Sequence, residues 1–161
     1  MMRSFKSVLG SRDGGLVIEA ALVLPFVIIV GLGAADASNM LVQNHKLESR
    51  LAMAGNYLAK TGTPATYESQ AKNLACAGQL STPATCVLPN WSTSDITISY
   101  TDVANAELES GYEYRGGQPV KVVTVSSTIQ YTGLGIVSSI TGGNAQLQGS
   151  YEERVIGSPV L

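Results

Sequence analysis

The chain has few of the side chains that carry out chemistry. It holds one histidine, His45, and two cysteines, Cys76 and Cys86, among 161 residues. A structural metal site needs about four ligands, and His45 lies far upstream of both cysteines. No HExxH, GxSxG or phosphate-binding glycine loop occurs, and no cysteine–histidine pair has local support. Glu152 and Glu153 are neighbours, so on a strand they face opposite ways and cannot work as a catalytic pair. The expectation is a non-enzyme with no catalytic residue, no metal and no cofactor. Charge is also scarce, at 14% of residues with a formal net charge of −2. Removing the residues through Gly14 takes away three bases and one acid and leaves seven bases against eleven acids, a net charge of −4. That balance argues against nucleic-acid binding, which needs a clustered basic face.

What the sequence does have is a long apolar run. In "RDGGLVIEAALVLPFVIIVGLGAAD", from Arg12 to Asp36, every residue between Leu16 and Ala35 is uncharged except Glu19. Twenty residues of α-helix span about 30 Å, the thickness of a bilayer's hydrocarbon core. Pro25 lies inside the run, where a transmembrane helix tolerates it better than a soluble one. Arg3, Lys6 and Arg12 precede the run against one acid, Asp13, whereas after it the first charge is Asp36 and no Lys or Arg appears before Lys46. The positive-inside bias then keeps the N-terminus cytoplasmic and sends the rest across. A cleaved signal peptide is the competing reading. Its core would be 7–15 residues long, and "GLGAADAS" offers small residues for a cut near Ala35, but Glu19 is foreign to such a core.

From Asp36 to Lys60 there is no proline, and Gly55 is the one glycine. Met40, Leu47, Leu51, Ala54 and Leu58 form one helical stripe, so the helix is expected to continue to about Lys60 as a rod of roughly 65 Å. The stripe would cover a core, and His45 would be a solvated helix residue. "TGTPATYESQAKNLACAG" reads as a shorter helix capped by Thr63, with Pro64 in its first turn, Gly78 at its exit, and Tyr67, Ala71 and Leu74 on one face. Outside the cytoplasm, Cys76 and Cys86 read as a disulfide. Closing a loop of that length contributes roughly 2–3 kcal/mol on the chain-entropy account.

The remainder alternates with period two. Ile96, Ile98 and Tyr100 share one face of a strand; Val123, Val125, Ile129 and Tyr131 share another, with Ser127 among them; Leu147, Tyr151 and Val155 share a third. A three-stranded antiparallel meander with one wet face follows. Its first connection, 104–118, holds Glu107, Glu109, Glu113, Tyr112 and Tyr114, a calcium or partner site at most and a solvated hairpin loop by preference. Its second, "GLGIVSSITGGN", is expected to hold a helical turn that buries Ile136 and Ile140. The fold class is therefore α+β: a long N-terminal transmembrane and amphipathic helix, then a small domain with a short helix and a three-stranded antiparallel sheet. The divisions are a basic cytoplasmic leader (1–14), the helix and its extension (15–60) and an exported, disulfide-bearing domain (61–161).

Glu19 is the fifth residue counting from Gly15. A short basic leader, a glycine, four residues, a glutamate and an apolar helix together resemble the processing region of type IV prepilin-like proteins. The early proline, the long helix and the small disulfide-bearing domain are more specifically similar to the TadE-like minor pseudopilins of bacterial tight-adherence (Tad/Flp) pilus systems. The phrase "VIEAALVLPFVIIVGLGAAD" carries most of this. The resemblance implies a pilin-like fold and cleavage by prepilin peptidase between Gly14 and Gly15, with Glu19 as the motif glutamate used in assembly. Two departures stand out. Ala20 occupies the place where major Flp pilins typically carry an aromatic, which speaks against a major pilin. The double glycine also lets the cut fall after Gly14 or after Gly15.

A carboxylate at the centre of a transmembrane helix costs about 2.5–3.5 kcal/mol, and less near an interface. The new α-amine of Gly15, on the same or an adjacent subunit, would offset that cost. Alternatively, Glu19 is favoured simply by the helix N-terminus and by headgroup water. The implied partners are the bilayer, prepilin peptidase, other pseudopilins or pilin, and the inner-membrane pilus assembly platform, with no nucleic acid. The implied role is initiation or support of a pilus that serves adhesion, by helix packing. Alternatives are a pseudopilin of a type II secretion or other type IV pilus machine, a signal-anchored periplasmic binding or enzymatic domain, or an exported adhesin cleaved near Ala35.

Overall fold

The computed structural model describes residues 12–61, 64–83, 85–108, 111–112 and 119–156. Helix α1 spans Arg12–Lys60, 49 residues that pass through Pro25 without a break, and at 1.5 Å per residue it is about 74 Å long. Its two halves have different surroundings. From Gly15 to Ala35 every side is exposed apart from a half-buried Gly33. Beyond that point Leu47, Leu51, Ala54 and Leu58 are fully buried and Met40 is half-buried, so the expected stripe does cover a core.

The core it covers belongs to an antiparallel sheet of β1 (Ile96–Val103), β4 (Val120–Gln130) and β5 (Gln146–Arg154), in that order. Ile98 pairs with Val125, and Val125 with Tyr151, so the alternating apolar residues line one face. Ile96, Val123, Val125, Ile129 and Leu147 are buried there. Two glycines set the helix-to-sheet distance. A Cβ on Gly55 would lie 2.6 Å from Cδ1 of Tyr151, and one on Gly149 would lie 2.9 Å from a methyl of Leu51. Each surface therefore carries a hole that the other fills. At the far end, the amide of Ile156 donates to the carbonyl of Ala59 (2.8 Å), satisfying one of the acceptors that a helix C-terminus leaves open. Ser127, the odd polar residue on the core face, accepts a hydrogen bond from the Trp91 indole N–H (3.0 Å).

After α1 come a 3₁₀ turn (Pro64–Tyr67) and helix α2 (Glu68–Ala77). Gly78 ends α2 in the left-handed region (φ 77°), its amide donating to Leu74 O at 2.8 Å. Thr63, the expected cap, lies outside the described residues. Tyr67, Ala71 and Leu74, expected on one face, differ in surroundings: Ala71 is buried with Ala75 and Cys76, Leu74 is half-buried, and Tyr67 is 36% exposed. The 3₁₀ turn takes Tyr67 out of the helical register, and its ring meets Tyr57 edge-on with centroids 6.3 Å apart.

The first sheet connection carries a small hairpin, β2 (Glu107–Leu108) and β3 (Gly111–Tyr112), with Glu107 opposite Tyr112. Glu109, Glu113 and Tyr114 lie outside the described residues. The second connection holds the expected helical turn, α3 (Ile136–Ile140). Its expected burial is half wrong. Ile136 is half-buried, but Ile140 is 82% exposed, because α3 is only five residues long and turns one side to α1.

Candidate functional site: an exposed motif and a buried clasp

The residues of the expected processing motif lie in the first turns of α1. Gly14 and Gly15 are both helical, and a Cβ added to Gly15 would meet nothing within 4 Å. Glu19 is exposed, about one turn further on, and makes no hydrogen bond or ion pair with any described residue. Around and beyond it the apolar side chains are bare, with Leu22 66%, Phe26 71% and Val30 71% exposed. No part of the described domain covers this segment, which is long and apolar enough to cross a membrane.

The run ends at a carboxylate with the opposite fate. Asp36 is fully buried. Its Oδ1 accepts from the Tyr131 hydroxyl (2.6 Å) and the Leu134 amide (2.9 Å), and its Oδ2 accepts from the Val137 amide (2.9 Å). Val137 lies in the first turn of α3, whose own N-cap, Gly135, supplies no side-chain bond. A side chain of α1 therefore satisfies amides that a helix start leaves open. These donors favour the charged form. The Tyr131 hydroxyl, then the Val137 amide, hold the Asp36 carboxyl below the usual aspartate range against the opposing effect of burial, with the Leu134 and Ile136 amides adding to the lowering. Burial first, then the bond to Asp36, push the Tyr131 phenol up.

Two further helix residues extend the clasp. Asn39 donates to the Tyr131 hydroxyl (3.3 Å), and Gln43 donates to the carbonyl of Thr132 (3.3 Å). Asn90, from the loop after the disulfide, donates to the Thr132 hydroxyl (2.7 Å). Gly133 is required here, since a Cβ at that position would collide with the Tyr131 hydroxyl and the Asp36 carboxylate. The whole set fixes the exit of the apolar run to the β4–β5 connection.

Cys76 and Cys86 form the expected disulfide, with Cα atoms 4.6 Å apart, and the Val87 amide donates to Cys76 O (2.9 Å). The bridge ties the end of α2 to the loop that leads to Trp91. His45 is exposed, its Nδ1 3.7 Å from a Glu48 carboxylate oxygen. Glu152 and Glu153 diverge as expected. Glu152 accepts from Thr124 on the outer face (3.3 Å), and Glu153 accepts from the Tyr151 hydroxyl (2.8 Å). Among the described residues, a shallow open depression of about 720 Å³ follows α1 past Lys46, Arg50 and Val87, away from both the motif and the clasp.

Gly14, Gly15 and Glu19 thus lie in the first turns of α1, Gly15 and Glu19 exposed, and the disulfide sits in the domain. Glu19 and Asp36 are seventeen positions apart, about 26 Å along the axis. The clasp is the part that sequence reasoning missed. The signal was present, because Asp36, Met40, Gln43, Leu47, Leu51, Ala54 and Leu58 follow one another at steps of three and four. The core stripe therefore starts at a charged residue.

Comparison of the chain with protein-family models, with curated proteins and with solved structures found no match.

Proposed function

We propose that the protein is a TadE-like minor pseudopilin. In this reading it sits in a bacterial inner membrane as a single-pass protein, N-terminus in the cytoplasm and sheet domain in the periplasm. Prepilin peptidase clips it at Gly14–Gly15, and it helps to initiate or support assembly of a Tad/Flp-type pilus. It acts by packing, with its apolar helix offered to matching helices of other pseudopilins, of pilin or of the assembly platform.

The observation that carries the reading is the uncovered apolar half of α1, with the single carboxylate of Glu19 one turn inside from Gly15. Its own domain takes up only the far half of the helix, so the near half is left for lipid or for other helices. The clasp at Asp36 supports the same reading mechanically: a force on the helix is passed to the sheet without a flexible joint. The disulfide fits a domain outside the cytoplasm.

Replacing Glu19 by glutamine in the producing cell tests the assembly role. The prediction is that the variant still enters the membrane, since the substitution removes a charge from an apolar run, and that surface pili are lost or sharply reduced. Normal piliation with Glu19→Gln would remove the glutamate from the account.

A further inference from the structure

Among the described residues, the β4–β5 connection reaches down to the apolar run. Ile136 lies against Gly33, its Cγ2 3.7 Å from where a Cβ would stand. Gly33 is three residues before Asp36, so Ile136 reaches about 4.5 Å further toward the membrane than the clasp does. Val30 and Ile29, one turn below Gly33 on the same side of α1, are 71% and 61% exposed. Beside Ile136, Leu134 is 65% exposed and Ile140 is 82% exposed. The exposed apolar residues of the helix and those of the connection therefore adjoin across the Gly33–Ile136 contact.

Charge is missing from the same end. No Asp, Glu, Lys or Arg occurs from Val122 to Tyr151, nor between Asp36 and Lys46, and the Asp36 carboxylate is sealed. Apart from the half-buried Val137, the rest of the connection is Thr132, Ser138, Ser139, Thr141, Asn144 and glycines, uncharged groups that headgroup water can solvate. Exposed apolar side chains in such a setting mark a contact surface.

We infer that the 133–141 connection is a lipid-facing foot: Leu134 and Ile140 enter the outer edge of the bilayer beside α1, and α1 and the foot together fix the height and tilt of the domain on the membrane. This rests on the reading of Leu16–Ala35 as a membrane span. The occupant is lipid because the connection meets the lipid-covered run at Gly33 and carries no charge of its own. The clasp gives Asp36 its purpose, holding α3 at the height of the last turn of the span.

The test uses the full chain in phosphatidylcholine vesicles, plain or carrying bromine on an acyl chain, near the headgroup for the foot and near the chain end for the span. Trp91 is the single tryptophan and is buried in the domain, so the unaltered protein supplies the baseline. Ile140→Trp and Leu134→Trp place a reporter on the foot at exposed positions that the fold tolerates, and Leu24→Trp reports on the span. The expected result is that all three added tryptophans lose emission in brominated lipid while the baseline does not. Quenching of Leu24→Trp alone would overturn the foot and leave the span intact. Quenching of none would overturn both. Unquenched foot reporters whose emission moves to the blue as protein is crowded in the vesicle would show a second copy covering the patch, which also overturns lipid as its occupant.

Discussion

The Tyr131 hydroxyl lies 2.6 Å from Oδ1 of Asp36, a bond between residues 95 positions apart in the chain. It joins the residue that directly follows β4 to the point where α1 leaves its apolar run. A carboxylate there is stable because the Tyr131 hydroxyl and the Leu134 and Val137 amides all donate to it and favour its charged form.

The clasp has a pH signature. The folded carboxyl of Asp36 titrates below its unfolded value, which is about 3.9. Its contribution is therefore complete above that value and is lost as pH falls through the lower, folded one. Urea unfolding of the wild type should show a falling midpoint on acidification. Asp36→Asn should be less stable at pH 7 and should lose part of this acid dependence. Equal acid dependence in both proteins would contradict the assignment.

Close approach of α1 to the sheet makes Gly55 sensitive. Alanine gains about 1 kcal/mol over glycine in a helix interior, but overpacking typically costs about 1–3 kcal/mol, and the Tyr151 ring stands in the way. Gly55→Ala is thus expected to be net destabilising. A second substitution, Tyr151→Ala, should turn it neutral or favourable, a coupling that a double-mutant cycle reads directly.

Leu51 sits at the centre of the helix–sheet contact, fully buried against Gly149. Leu51→Ala should cost about 2–5 kcal/mol, whereas Met53→Ala, on the exposed side of the same helix, should cost far less. Chemical denaturation of both variants distinguishes a helix that covers the core from one that merely lies beside it.

Reduction of Cys76–Cys86 should lower stability by roughly 2–3 kcal/mol. Cys76 is 2% exposed and Cys86 half-buried, so reductant should enter at the Cys86 sulfur and act faster in denaturant than on the folded protein. Thiol labelling with and without urea checks both statements.

Much of the architecture was legible from local patterns. The stripe from Met40 to Leu58, the alternation in β1, β4 and β5, and the cysteine pair each point to the same small domain behind one helix. The sequence reading failed where tertiary contacts set the outcome. Tyr67 looked helical because spacing alone does not reveal a 3₁₀ turn. Ile140 looked buried because a period says which residues share a side, not whether anything covers it. Asp36 was read only as a flanking charge, since its partners, Tyr131, Leu134 and Val137, come together only when the sheet folds back on α1. Gly15 and Glu19 have no partner among the described residues, so their role rests on their spacing.

The central claim is that α1 is trimmed at its cytoplasmic end and retained whole thereafter. Its most direct test is the intact mass of the protein extracted from membranes of cells with and without prepilin peptidase. The account predicts a membrane-bound chain that begins at Gly15, or one glycine later, when the peptidase is present, and an untrimmed chain when it is absent. An identical mass in both strains, or a mature chain that begins beyond Ala35, would contradict it.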